Sequence, residues 1–443
     1  MTQDKYRALS LFSGAMGLDI GLENTGRIEV IAAIENDAAA CETIRMNLRR
    51  RQGARQSEFL PIHADIRTVN AGELREKLGL KKGELDIIAG GPPCQSFSTS
   101  GKRQGVQDSR GTLLWDYLRF VEEFAPKYFI IENVRGLTSA ALIHSTIKSR
   151  ASKEGELLPE ERPGTVLEQF VRDLGARTGG AYRLDCFEVN AVNYGAPQIR
   201  ERLICIGNRM GQLVEFPEPT FGPSGQNFLP IYRTLGDAIR RLDDPFPVLL
   251  DFSPRKKQYL SLIPPGGNWR CLPEPLQIES MGKAFLAKGG RSGWWRRLSY
   301  DLPCPTLVTM PNHASTSLCH PEEVRVLSIR EYAAIQEFPK DWEFVGTTSE
   351  QYRQVGNAVP VRLGEVAGRT VLKYLDALHS DFRLVYLQSH VRTRKWFSNG
   401  KFQIWKDGGT QTGENPLYGL PVTTRKEKYS TNEPGKQLTL KAS

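Results

Sequence analysis

The sequence predicts an α/β protein: a doubly wound, largely parallel sheet, interrupted late in the chain by a loop-rich insertion. Three observations carry this. Ala8–Phe12 is a short apolar run, followed by Ser13-Gly14-Ala15-Met16-Gly17 and an amphipathic stretch (Leu18, Ile20, Leu22), a strand–turn–helix that suits the opening of a nucleotide-type βαβ unit and equally a plain connection. Further short apolar runs, Leu85–Ala89 and Tyr128–Ile131, stop abruptly at glycine, proline or a carboxylate, as buried parallel strands do. From about Gln212 periodicity fades and Pro, Gly, Trp and basic residues accumulate, until regular patterning returns at Arg325.

Composition narrows the class of partner. The chain has 443 residues, enough for two domains or one with a large insertion, with 40% hydrophobic and 25% charged residues. A net charge of +9 favours a polyanionic partner. Met1–Arg7 is polar and unlike a signal peptide, and no run approaches the roughly 18 apolar residues of a membrane span. A cytoplasmic protein with no membrane association is expected. The seven cysteines are odd in number and scattered, which argues against a disulfide framework. Cys304, His313, Cys319 and His320 match no usual zinc spacing, so no metal is expected.

In chain order, Glu29–Ile34 reads as the second strand, ending at Glu35, where a carboxylate suits ribose hydroxyls; Asn36 and Asp37 equally suit a helix cap. His63-Ala64-Asp65-Ile66 follows a third such end. Gly90-Gly91-Pro92-Pro93 then stops the strand before Cys94, leaving that cysteine on a stiff loop at the carboxyl end of the sheet. A thiolate favoured by nearby positive charge would be a nucleophile there; a buried structural cysteine is the commoner role for a lone one. Ser96–Arg110 is rich in Ser, Gly, Gln, Lys and Arg, a phosphate-seeking loop, and Asp108–Leu113 opens a helix through Phe124. Glu132 leaves an apolar strand, where desolvation favours the protonated carboxyl that a general acid needs. His144–Pro163 reads as a polar surface insertion. Arg200 and Arg202, two apart on an extended segment before the strand Leu203–Gly207, point the same way, so one can face a substrate while the other supports it.

In the C-terminal half, residues 212–324 read as loops and short strands. Ser328 and Glu331 form a capping box opening a helix that ends before Pro339, and Gln354–Pro360 precedes a last helix through Leu375. Residues 380–443 carry 11 Lys and Arg against 5 Asp and Glu, a basic extension either without fixed structure or in contact with nucleic acid.

Gly90–Ser98 resembles the nucleophile loop of the DNA cytosine-5 methyltransferases. The likeness extends, in the family's order, through Phe12-x-Gly14-x-x-Gly17 (with Met16 where a glycine is usual), His63–Ile66, Glu132-Asn133-Val134, Val192–Arg202, Pro305-Thr306-Leu307 and Gln354–Pro360. It covers about Leu9 to Gly368. The resemblance implies a Rossmann-like methyltransferase sheet in a catalytic domain (1–211), a target-recognition domain (212–324), a return segment completing the catalytic domain (325–379) and the extension (380–443). It implies S-adenosyl-L-methionine as cofactor, held by Phe12, Gly14, Gly17, Glu35, Asp65, Ile66, Pro93, Leu113 and Asn357. Cys94 would be the nucleophile, Glu132 the acid at ring nitrogen 3, and Arg202, with Arg200, the orienting cations. Gln95, Ser100, Lys102, Arg110 and Thr306 would contact double-stranded DNA, and Ser96–Arg110 would close over a flipped cytosine. The expected protein is a monomeric modification enzyme of a bacterial restriction-modification system, with a cognate endonuclease as possible partner. A tRNA cytosine-5 methyltransferase of the same fold and a non-catalytic DNA-binding relative are the alternatives; the insert favours DNA, and Cys94, Glu132 and Arg202 together favour catalysis. A nicotinamide-dependent dehydrogenase would explain the glycine turn but not the cysteine loop.

Overall fold

The computed structural model describes residues 5–51, 59–93, 113–143, 158–223, 229–286 and 293–377, with short strand segments between 395 and 440. The elements begin β1 (Tyr6–Leu11), α1 (Gly17–Glu23), β2 (Ile28–Glu35), α2 (Ala38–Arg51), β3 (Leu60–His63), α3 (Ala71–Lys77), β4 (Ile87–Gly90), α4 (Leu113–Phe124) and β5 (Tyr128–Val134). They continue with α5 (Thr165–Thr178), β6 (Arg183–Asn190) and β7 (Glu201–Asn208). After these come the short helices α6 (Leu235–Ile239), α7 (Pro254–Ser261) and α8 (Glu274–Met281), then α9 (Ile329–Ile335), α10 (Thr348–Asn357) and α11 (Val361–Ala377).

Seven strands form one sheet in the order β3-β2-β1-β4-β5-β7-β6. The first five are parallel, and β7 is antiparallel to both β5 and β6. Chain direction across the sheet reverses between β1 and β4, the switch point where open α/β sheets leave a crevice at their carboxyl ends. The α/β expectation holds, with the central strands read in sequence from their apolar runs fully buried: Ile87, Ile88 and Ala89 are each 0% exposed.

Two features escaped the sequence reading. β6 is buried along all eight residues although it carries Arg183, Asp185, Glu188 and Asn190. Arg183 satisfies Asp185 at 2.8 Å within the same strand, and Asp185 also accepts from Val214 N at 3.0 Å, so the charges are paired inside rather than turned outward. The second is a correction to the cysteine reading. Cys186 and Cys205 are directly opposed across β6 and β7 and are disulfide-linked, an arrangement that antiparallel register creates and sequence spacing does not signal. This is one link and not a framework.

Residues 212–324 differ from the expected loops and short strands by containing short helices and isolated bridges instead. Their aromatic residues (Tyr259, Trp269, Trp295) belong to the same buried apolar cluster as Ile87 and Ile204 of the sheet. The capping box at Ser328 is present, with Ser328 Oγ accepting from Glu331 N at 3.2 Å. The last helix begins at Val361, and Gln354–Asn357 form the end of the preceding helix, α10. In the basic extension, Lys395–Ser398 pairs antiparallel with Lys401–Lys406.

α11 returns to pack on α1 at backbone contact. A Cβ on Gly21 would meet Val361 O at 2.2 Å, and one on Gly364 would meet Leu18 O at 2.4 Å. Gly17 is equally tight, 2.2 Å from Val359 O, so small residues on both helices bring the segment after α10 against the first turn of α1.

Candidate active site

A cleft of about 830 Å³ lies along the carboxyl ends of β3, β2, β1, β4 and β5 and is closed on one side by the ends of β7 and α10. That size suits a drug-sized or cofactor-sized ligand. Each strand end brings its own chemistry, in sheet order.

After β1, the backbone runs through positive φ at Phe12 (56°), Gly14 (52°) and Met16 (66°). The Met16 conformation explains why glycine suits that position; here methionine takes the left-handed backbone and buries its side chain at 2% exposure. Glu35, at the end of β2, holds the turn together: Oε2 accepts from Gly14 N at 2.7 Å, and Oε1 accepts from Asn36 N (2.9 Å) and Asp37 N (2.8 Å). Asp37 caps α2 through Ala40 N at 3.0 Å and pairs with Arg353 of α10 at 2.6 Å. Burial tends to raise the Asp37 carboxyl, but these bonds outweigh it and hold it below its ordinary value. After β3, Asp65 accepts from Arg67 N at 3.0 Å and pairs with the Arg67 guanidinium at 2.5 Å, which lowers its pKa. Ile66 beside it is buried. Phe12, Gly14, Gly17, Glu35, Asp65, Ile66, Pro93, Leu113 and Asn357, all expected around the cofactor, line this one cleft.

On the other side of the switch point, Gly90 passes so close to β1 that a Cβ would meet Leu11 O at 2.2 Å. The following segment is anchored from β5: Asn133 Nδ2 donates to Pro92 O at 3.1 Å, and Glu132 Oε2 lies 3.1 Å from the position of a Gly91 Cβ. Glu132 is buried as expected, its side chain 11% exposed, but it is not a lone desolvated carboxylate. Arg202 Nε meets Glu132 Oε1 at 2.7 Å, with the Arg202 side chain 12% exposed. The antiparallel pairing of β5 and β7 sets this up, since Arg202 is opposite Val134 and Glu132 opposite Ile204. Arg202 Nη1 also donates to Glu201 O at 2.7 Å, which fixes the guanidinium from behind.

Arg200 departs from its expected catalytic part. It is 2% exposed, and its guanidinium donates to Leu307 O (3.2 Å), Gly356 O (2.9 Å) and Ala358 O (3.0 Å). Burial pushes its pKa down, and the neighbouring Arg202 adds to the effect. Bonded to those carbonyls, it ties the strand β7, the segment around Leu307 and the end of α10 to one another. Gln198 and Gln336 extend the same joint: Gln198 Oε1 accepts from Leu307 N at 3.1 Å, Gln198 Nε2 donates to Gln336 Oε1 at 3.0 Å, and Gln336 Nε2 donates to Val355 O at 2.8 Å. Thr306 is exposed at the rim, its hydroxyl donating to Ile199 O at 2.8 Å, while Leu307, Val308 and Thr309 line the cleft.

Sequence reasoning passed over Asn133, Gln198, Gln336 and Arg353. Asn133 had a signal, as a side-chain amide directly after a strand-end carboxylate; the two glutamines had none, because their partners come from distant segments. Cys94, Gln95, Ser100, Lys102 and Arg110, with the whole expected lid, lie outside the described residues, as does most of the expected insertion 144–163. Cys304 and Cys319 are buried where desolvation pushes both thiols up to about 12. No cluster of three or more His, Cys, Asp or Glu among the described residues is arranged to hold a metal.

Comparison with known proteins agrees with this geometry. Residues 6–373 match the family of C-5 cytosine-specific DNA methylases. The chain is 38% identical over 371 residues to the Type II methyltransferase M.Sau96I of Staphylococcus aureus, covering 84% of this chain and 76% of that one. It is 36% identical over 388 residues to the Type II methyltransferase M.Eco47II of Escherichia coli, covering 86% and 82%. The crystal structure of a DNA modification methyltransferase encoded within an E. coli prophage superposes with a TM-score of 0.56 at 24% identity, covering 84% of this chain and all of that one. S. pombe Dnmt2 methyltransferase gives a TM-score of 0.50 at 16% identity, covering 86% and 100%; both likenesses speak for the fold. The chain belongs to the C-5 cytosine-specific DNA methylase family.

Proposed function

We propose that this C-5 cytosine-specific DNA methylase takes its methyl group from S-adenosyl-L-methionine and acts on a cytosine flipped out of a specific duplex site. The observation that carries the reading is the buried Glu132–Arg202 pair at 2.7 Å on the wall beside the Gly91–Pro93 run, which Cys94 follows directly in sequence. The cleft fits the cofactor: Ile66, Phe12 and Leu113 offer apolar surface for a flat ring, Glu35 and Asp65 offer carboxylates for polar groups at its edge, and Asn357 stands at the opposite wall. When bound there, S-adenosyl-L-methionine supplies a methyl group activated by a positive sulfur.

The chain's own residues supply the rest. Carbon 5 of cytosine is a poor nucleophile. Cys94, adding its thiolate to carbon 6, makes carbon 5 enamine-like and able to accept the methyl. Negative charge then grows towards ring nitrogen 3, where Glu132 protonates or hydrogen-bonds the ring. Arg202 holds Glu132 in place, orients the base and favours the thiolate. Loss of the carbon 5 proton to water, expulsion of the Cys94 thiolate and return of the nitrogen 3 proton to Glu132 restore the ring as 5-methylcytosine. Arg200 is a positioning residue that keeps the recognition segment and the end of α10 on this wall. We assign residues 212–324 to target recognition, and 1–211 and 325–379 to the catalytic domain. The Type II methyltransferase names of the relatives support a bacterial modification enzyme; we propose further that it is monomeric, cytoplasmic and paired with an endonuclease of the same site.

The test is methyl transfer from labelled S-adenosyl-L-methionine to DNA and to tRNA. Cys94→Ala is expected to lose transfer to DNA on the order of 10⁴-fold or more while still binding the cofactor. DNA carrying 5-fluorocytosine at the target should trap a covalent complex at Cys94, because carbon 5 then has no proton to lose. Full activity of Cys94→Ala, or transfer to tRNA alone, overturns the reading.

A further inference from the structure

Five carboxylates line the described part of the cleft: Asp19, Glu35, Asp37, Asp65 and Glu132. Four are bonded to backbone N–H groups or to an arginine. Asp19, in the first turn of α1, is the exception. It is 1% exposed, and neither of its oxygens completes a hydrogen bond with a described residue. The Ser10 hydroxyl beside it lowers its pKa, as does its own backbone N–H, but neither offsets burial. Burial dominates, and repulsion from Glu23 adds to it, so the carboxyl is pushed up to about 7.

The surrounding charges offer no compensation. Glu23 is on the same helix. Glu35 is at the end of β2, Glu132 is engaged by Arg202, and Arg200 is engaged by carbonyls. On α11, packed against α1, Glu365 is held by Arg362 at 3.0 Å and Arg369 at 2.8 Å. No described cation forms an ion pair with Asp19. An ionised carboxylate in such a place is costly, and a cation brought alongside offsets that cost.

The sheet order says which part of a ligand arrives there. Asp65 and Glu35 stand at the ends of β3 and β2, Glu132 at the end of β5, and α1 leads off from β1 between them. A cofactor with its nucleoside over β3 and β2 and its methyl turned towards the base site lays its methionine portion along α1. That portion carries the sulfonium and the α-ammonium.

We propose that Asp19 is the counter-charge for the cationic methionine portion of S-adenosyl-L-methionine, neutral in the absence of that cation and ionised in its presence. This rests on the cofactor assignment made above. Each binding event to the protonated form releases one proton, from the Asp19 carboxyl to solvent. Affinity therefore rises with pH up to the neutral range and then levels off.

Calorimetric titration of S-adenosyl-L-methionine into the full chain, in two buffers of different ionisation heat, counts that proton. The window is about pH 6 to about pH 7, below the range in which an α-amino group titrates. We expect release of nearly one proton at the lower pH, about half at the upper, and roughly fivefold tighter binding at the upper. Asp19→Asn should bind more weakly, release no proton and show no pH dependence over this window. The wild-type proton count decides the matter even where the variant fails to fold. Binding to the wild type without proton release overturns the role of Asp19 alone, as does an Asp19→Asn protein that keeps the wild-type pH dependence. A wild type that binds no S-adenosyl-L-methionine at either pH overturns the cofactor assignment and this proposal together.

Discussion

On the β3–β2 side of the cleft, Asp65 and Glu35 are held by groups close by. Asp65 is closed by Arg67 two residues on, and Glu35 accepts from the next two backbone N–H groups and from the turn at the adjoining strand end. On the β4–β5–β7 side the partners are remote in sequence: Glu132 is met by Arg202, and Arg200 by carbonyls around residues 307 and 356–358. The difference bears on function. The first half is a set of local turns that present backbone and carboxylates to a ligand. The second is a buried joint in which three segments must assemble before the carboxylate and guanidinium meet.

The comparison is tested most severely by separating the two arginines. Arg202→Met leaves Glu132 in a mostly buried site without its cation and should lower methyl transfer by about 10²–10³-fold. Arg200→Met deprives several buried carbonyls of a charged donor and should cost about 3–5 kcal/mol of stability, read by denaturant unfolding. Arg202→Met should cost less stability than Arg200→Met, because its pair retains some solvent contact. If Arg200→Met unfolds like the wild type, the joint is not what holds this wall together.

A smaller effect should follow from parting α1 and α11. Gly364→Ala places a methyl 2.4 Å from Leu18 O, and relief requires the helices to move apart. A loss of about 1–3 kcal/mol is expected, together with weaker cofactor binding, because the segment after α10 abuts Gly17. Unchanged binding with normal stability would mean that the return segment has slack.

The smallest effect concerns the Asp37–Arg353 pair, which joins the local half to α10 near the surface. Asp37 has a folded pKa below its unfolded value of 3.8, so its contribution is present above that value and lost as pH falls through the folded one. Arg353→Ala should therefore lower the melting temperature slightly at neutral pH, and the gap from wild type should close under acid, below about pH 4. A gap that persists there would assign the effect to packing.

These contrasts also mark how far the sequence could be read. The strands β1, β4 and β5 and the capping box at Ser328 were legible, because apolar runs, turn residues and local hydrogen bonds are properties of a few neighbouring residues; the residues that line the cleft came from the family resemblance. β6 was not, since Arg183 and Asp185 hide its burial by neutralising each other inside the sheet. The Cys186–Cys205 link depends on the register of β6 and β7, and the joint of Gln198, Arg200 and Gln336 on segments that meet through tertiary packing. The Asp19 carboxylate looks in sequence like any acidic residue in the first turn of a helix; its burial follows from α11 and the sheet strands β2 and β4 packing against α1.

By itself, then, the chain of residues determined the α/β class, the strand ends that carry chemistry and the identity of the groups placed there. Folding alone decided which of two like-pointing arginines meets the carboxylate and which becomes a joint, and which acid is left without a partner. The physical reason is that propensity and turn chemistry act over a few residues, whereas desolvation and pairing are set by whatever the completed sheet and returning helices bring within a few ångströms.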